Sequence, residues 1–330
     1  MKRFVRCLLA MILMVPMLQG CVQRRTEIAY TIYPIGYLIQ RIAGSTVKYV
    51  SIQKDDTIVQ RAQISSDYQN TLKQSYVLFH IGDLEPYLSV YHDEIVNTGV
   101  QDLDLSADNA VYDFGRYVRA DEKKGTAERF EPYYLGDAFA DTDTSRKDLS
   151  LWIDPIAMMS MGKDIRDWLI RKNPDEESFY AENYRKLEDD LIDLDVQYQN
   201  LATELNENQE RIAFVSMTPS FGNWQKAYGF QVYPVVLSRY GVLPDEKQLE
   251  VIEKRIRDDA VGYIVKEPNL PKDMTVLYEK VKEDCSLKEV PLSNISSLSE
   301  SENRDGKDYL SIMYENLNTL NDMVEDTVSS

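Results

Sequence analysis

The sequence predicts an α/β protein of two βα lobes with mostly parallel sheets, joined by one long helix and separated by a cleft. Three observations predict it. From residue 28, short apolar and β-branched runs alternate with helix-like stretches, the pattern of βαβ units. One apolar stripe then runs far beyond the length of an ordinary helix. After it the alternation resumes, and 330 residues suit two domains of roughly 100 to 200 residues each.

In the first lobe, strands are expected at 28–33 (Ile-Ala-Tyr-Thr-Ile-Tyr), 47–52, 76–81 and 100–105, with helices at 36–43, 66–73 and 86–97. Charges, glycines and aromatics break the rhythm over 112–149, which reads as an irregular surface excursion. A helix over 155–171 carries Pro155 in its first turn. Next, Asn173-Pro174-Asp175-Glu176 supplies a capping Asn, a Pro at the first helical position and a Glu three residues after the cap. Tyr180, Tyr184, Leu187, Leu191, Leu194, Tyr198, Leu201 and Leu205 then recur at alternating spacings of 4 and 3. A helix of about 34 residues spans roughly 50 Å at ~1.5 Å per residue. Its 3.5 mean repeat also suits a coiled-coil seam, but the α/β text on both sides favours a helix packed on both lobes. Further strands are expected at 211–216, 230–236, 261–266 and 287–292, with helices at 221–228, 245–258, 272–283 and 307–325. The resulting division is 28–173 for the first lobe, 174–208 for the linking helix and 209–330 for the second lobe.

The N-terminus predicts export. Lys2, Arg3 and Arg6 precede an apolar run from Cys7 to Leu18 that closes on Leu18-Gln19-Gly20-Cys21, too short for a stable membrane span. Residues 1–20 read as a signal peptide. Leu-x-Gly-Cys resembles the bacterial lipobox, which makes Cys21 the lipidated first residue of the mature chain and 21–27 a tether to the membrane. The location that follows is extracytoplasmic and lipid-anchored. Cys285 is then the one thiol left, so no internal disulfide staples the fold.

Composition narrows the chemistry. With 37 basic and 55 acidic residues the net charge is −18, which repels a phosphate backbone and argues against a nucleic-acid partner. The chain has only two histidines, His80 and His92, whereas most zinc sites and Ser or Cys triads use at least one. Twelve residues apart and on different elements, they read as a strand-end and a surface histidine. No glycine-rich phosphate loop, nucleophile elbow or Cys-His arrangement occurs, so no enzyme is expected. Met158, Met159, Met161 and Met217 read as packing groups.

Several motifs occur in a fixed order: the Cys21 lipobox, Thr31-Ile32-Tyr33-Pro34, Val77 to Glu85, Leu151-Trp152-Ile153-Asp154-Pro155, and Asp308 to Met313. Together they resemble the zinc- and manganese-binding lipoproteins of bacterial ABC importers, the family that includes proteins labelled adhesins. The resemblance implies two α/β lobes on one long helix, an interlobe metal held by three histidines and a carboxylate, a partner ABC permease and a monomeric binder.

The ligand positions do not follow. Thr57 to Ser66, the region of the first family histidine, has neither His nor acid. Ser150 stands where the second is expected, two residues before Trp152. Thr218 takes the third position in Met217-Thr218-Pro219-Ser220-Phe221, and Val290 to Asn294 lacks the carboxylate. No metal ligand and no cofactor are therefore assigned. A cleft lined near Arg61, Ser150, Thr218 and Asn294 would instead suit a small polar or anionic solute. The function so read is an extracytoplasmic solute-binding lipoprotein of the metal-importer type, degenerate at its metal ligands. The alternative is an adhesin-like surface lipoprotein that keeps the fold and binds no metal.

Overall fold

The computed structural model describes residues 27–54, 57–118 and 129–328; the expected signal peptide and Cys21 lie outside them. The first sheet is built from β1 (Glu27–Tyr30), β2 (Lys48–Ser51), β3 (Val77–His80) and β4 (Gln101–Asp104) in the order β2-β1-β3-β4, every pair parallel. Its interleaved helices are α1 (Tyr33–Ala43), α2 (Tyr68–Gln74) and the pair α3 (Pro86–Val90) and α4 (His92–Val96). The single helix expected over 86–97 is thus broken at Tyr91. A parallel strand covered on both faces needs apolar residues on both, and Val77, Leu78 and Phe79 of β3 are all fully buried.

A two-stranded antiparallel ribbon, β5 (Arg116–Val118) and β6 (Arg129–Glu131), follows. The described parts of 112–149, residues 112–118 and 129–149, are not wholly the surface excursion that composition suggests. Tyr133 and Tyr134 are buried, and the Tyr134 hydroxyl donates to Pro234 O at 3.0 Å. Arg116, 3% exposed, donates to Tyr233 Oη at 2.9 Å and pairs with Asp259 at 3.2 Å. Arg116 and Glu131 read as solvated charges but pair with Asp259 and Arg255 of the second lobe, which makes the described segment a strap onto that lobe.

Then come α5 (Pro155–Lys172) and, after a 3₁₀ turn at Pro174–Glu176, the long helix α6 (Glu177–Asn208). Asn173 does not cap as expected; its side-chain amide donates to Tyr180 Oη at 3.2 Å instead. All eight residues of the apolar stripe are buried. On the first-lobe side α6 packs on α1 and α5. Towards the second lobe it meets α7 (Asn223–Tyr228) and α11 (Tyr309–Val328), where the Tyr198 hydroxyl donates to Met313 O at 2.8 Å. Both ends of one helix are thus committed to different lobes, which explains its length without a coiled-coil partner.

The second sheet, β7 (Ala213–Ser216), β8 (Gln231–Pro234), β9 (Tyr263–Lys266) and β10 (Lys288–Pro291), is also fully parallel, in the order β10-β9-β7-β8. Its connections include α8 (Glu246–Asp258), opened by an Asp245–Gln248 capping box, α9 (Lys272–Asp284) and the short α10 (Glu300–Arg304). Cys285 is half-buried after α9, and burial pushes its thiol pKa up, consistent with a structural thiol. No described helix is long and apolar enough to cross a membrane.

Candidate functional site

Open parallel sheets bind ligands beyond the carboxyl ends of their strands, and here those ends converge between the lobes. The Trp-Ile-Asp-Pro segment forms the junction. The Trp152 indole Nε1 donates to Asn294 O at 2.7 Å, the Trp224 indole donates to Ile153 O at 2.8 Å, and the Tyr309 hydroxyl donates to Trp152 O at 2.7 Å. Asp154 caps α5 by accepting from Ile156 N at 2.9 Å. One short segment therefore fixes β10's exit loop, α7 and α11 relative to the first lobe.

Beyond the ends of β7, β9 and β10 the structure brings Thr218 and Asn294 together on a residue that the sequence reading missed, Glu267. Its Oε1 accepts from Met217 N at 2.7 Å and Thr218 N at 2.9 Å. Its Oε2 accepts from the Thr218 hydroxyl at 2.5 Å and Asn294 Nδ2 at 2.8 Å. Glu267 is 3% exposed, and burial raises its pKa against these donors. The acid was sought only after the last strand, whereas Glu267 directly follows β9 in Lys266-Glu267-Pro268. Four donors occupy the carboxylate, and Asn294 Oδ1 in turn accepts from Ser296 N at 3.0 Å. No lone pair is left pointing into the cleft for a cation.

Ser150 lies on the facing wall, its backbone N donating to Asp148 Oδ1 at 3.0 Å. Burial raises the Asp148 carboxyl to about 6, opposed by Ser150. A Cβ on Gly222 would stand 1.9 Å from Asp148 Oδ2, so glycine is required for the walls to close. The space between Gln60, Asp148, Ser150, Pro219, Ser238 and Arg239 measures about 20 Å³, room for about one water.

Arg61 does not line an open cleft as expected. Its guanidinium is committed to Gly241 O and to Asp273 Oδ1 across the lobes.

A roomier interlobe cavity of about 250 Å³ opens at the ends of β1 and β2, lined by Tyr30, Thr31, Tyr33, Ser51, Ser297 and Asn303 among others, with no charged side chain in its wall. Behind Thr31 lies Glu85, wholly buried. Burial raises its carboxyl to about 7, with the Thr31 side chain opposing.

Both histidines line another cavity, of about 210 Å³, on the first lobe. His80 Nδ1 lies 2.7 Å from Gly82 O and its Nε2 lies 2.9 Å from Asp102 Oδ1. Burial disfavours the charged ring, but the Asp102 carboxylate and Gly82 carbonyl outweigh it and raise its pKa to about 8. Twelve residues of sequence thus fold onto one pocket, which spacing alone could not reveal. Among the described residues no three His, Cys, Asp or Glu side chains stand together as a metal shell.

The known proteins agree with this frame. The zinc-binding protein AdcA of Streptococcus pyogenes is 25% identical over 177 residues, which is 52% of this chain and 32% of that protein. The high-affinity zinc uptake system protein ZnuA of Bacillus subtilis is 24% identical over 176 residues, 53% of each chain. The match thus spans a third to a half of these relatives. Among solved structures, the periplasmic zinc-binding protein TroA of Treponema pallidum superposes with a TM-score of 0.69 at 14% identity, over 90% of this chain and 98% of its own. The zinc-bound ZnuA-like domain of Streptococcus pneumoniae AdcA does so with a TM-score of 0.65 at 17% identity, over 90% and 97%. These likenesses bear out the two-lobed fold and the resemblance carried by the motifs. The model of the periplasmic zinc-uptake complex component A matches residues 28–323, nearly every described residue, and the chain belongs to that family, ZnuA.

Proposed function

We propose that the chain is the extracytoplasmic solute-binding component of an ABC importer of the zinc/manganese type, and that its cleft takes cargo without a histidine shell. In this reading it is a binder and not a catalyst, it works as a monomer with a permease, and lipid on Cys21 anchors it. Residues 1–20 are removed, 21–27 form the tether, 28–173 and 209–330 are the lobes, and 174–208 is the link between them.

The observation that carries the reading is the Glu267 carboxylate, whose two oxygens are taken by Met217, Thr218 and Asn294. A divalent ion needs deprotonated ligands with free lone pairs, and here a threonine and an asparagine fill them. The uncharged hydroxyl, amide and aromatic lining of the 250 Å³ cavity suits a small neutral polar solute.

Calorimetric titration of the chelator-treated mature protein tests this. Zinc and manganese should give no one-to-one binding at micromolar concentration. A one-to-one site with submicromolar affinity, abolished by Glu267→Gln or Asp148→Asn, would overturn the reading. Globomycin should block processing of the precursor, and a chain processed normally in its presence would remove the anchor.

A further inference from the structure

The loop 238–243 of the second lobe is gripped from two directions. From the first-lobe turn Val59–Arg61, the Arg61 Nε and Nη2 both donate to Gly241 O, at 3.1 and 2.7 Å, and Nη1 donates to Asp273 Oδ1 at 2.8 Å. Gly241 has φ +64°, and a Cβ there would stand 2.9 Å from Arg61 Cγ, so this close approach requires glycine. In the other direction Arg239 pairs with Asp83 of the first lobe at 3.2 Å, and its backbone N donates to Asp143 O at 2.8 Å. Thr144 and Ser238 add an antiparallel bridge.

We propose that loop 238–243 is a latch over the narrow part of the interlobe cleft beside Ser150 and Pro219, apart from the 250 Å³ cavity, and that Arg61 is its catch, a built-in cation that holds this part of the cleft shut. Two observations carry it. One planar guanidinium divides three N–H donors between two acceptors of the opposite lobe, a geometry that fixes position as well as distance. The latch also walls the narrow space itself: Ser238 and Arg239 line the 20 Å³ space together with Gln60, Ser150 and Pro219, so lifting the loop would widen it. The Asp273 arm, whose side chain is 49% exposed, weakens with salt, while the carbonyl arm does not depend on a second charge. This proposal does not depend on the identity of the cargo.

Amide hydrogen exchange on the chelator-treated full mature chain, without added solute, tests it. Loop 238–243 should be protected in the wild type and should exchange at least tenfold faster in Arg61→Ala, with amides of 263–266 unchanged as the internal control. Asp273→Asn should give a smaller acceleration that disappears in high salt. Loop exchange in the wild type as fast as in Arg61→Ala would overturn the latch, and so would unchanged protection in a folded Arg61→Ala. Should Arg61→Ala not fold, Arg61→Lys, which cannot reach both acceptors with a planar fork, replaces it. Unaltered loop protection in Arg61→Lys and Asp273→Asn together would equally overturn it.

Discussion

The Thr218 hydroxyl donates to Glu267 Oε2 across 2.5 Å inside a wall that water does not reach. Removing a donor from a buried carboxylate leaves an unpaired acceptor, which costs about 1–3 kcal/mol. Thr218→Val, nearly the same shape, should therefore destabilise the protein by that amount in urea unfolding. Thr218→Ser should cost less than half as much. A larger loss for Thr218→Ser than for Thr218→Val would show that the methyl packing, and not the hydroxyl, matters there.

Glu85 should behave oppositely. Burial places its folded pKa at about 7, against an ordinary value near 4.3. The folded state therefore holds a proton that the unfolded chain has released, and stability is lost as pH rises from about 4.5 to about 7. Glu85→Gln, neutral at every pH, should raise stability by about 2–3 kcal/mol at pH 8 and change it little at pH 4.5. Melting curves at the two values decide it; a Gln variant that is less stable at pH 8 would contradict the burial argument.

His80 gives a loss in the same direction at higher pH, because its folded state also holds a proton that the unfolded chain releases. Its folded pKa is about 8 beside Asp102, above the ordinary 6.5. The pair's contribution is complete below pH 6.5 and is lost as pH passes 8. Asp102 is half exposed, so the contribution is about 1 kcal/mol after solvent screening. The stability lost between pH 6 and 9 should be smaller by that amount in Asp102→Asn, and NMR titration of the His80 ring should show its pKa falling towards or below 6.5. An unmoved ring pKa would mean that Asp102 is not the partner.

Much of the fold was legible because its signals are local or periodic. The apolar stripe from Tyr180 to Leu205 specifies one buried helix face whatever packs on it, and the runs around Val77 and Ile264 are apolar on both faces as parallel strands must be. The strap was not legible. Arg116, Glu131 and Asp259 look like solvated charges until the fold brings both carboxylates within about 4 Å of the Arg116 guanidinium. The site was half legible. Thr218 and Asn294 were found by position, but Glu267, which joins them, and the commitment of Arg61 to Gly241 depend on contacts across 49 and 180 residues of sequence. Single-sequence patterns carry no information about such pairings.

The long helix has a consequence for how the molecule could be taken apart. One continuous core runs from Ile28 and Phe79 of the first sheet through Leu187 and Leu194 of α6 to Phe214, Leu292 and Met313 of the second lobe. Two lobes visible to the eye are thus one body to the solvent. A chain split at the gene between Asn173 and Pro174 would give a first fragment without the helix that covers α1 and α5, and a second with half an apolar stripe facing water. Each would seek the other or aggregate. Such fragments would be useful as a complementation pair, reconstituting the protein only when both are present, and not as independent modules for engineering.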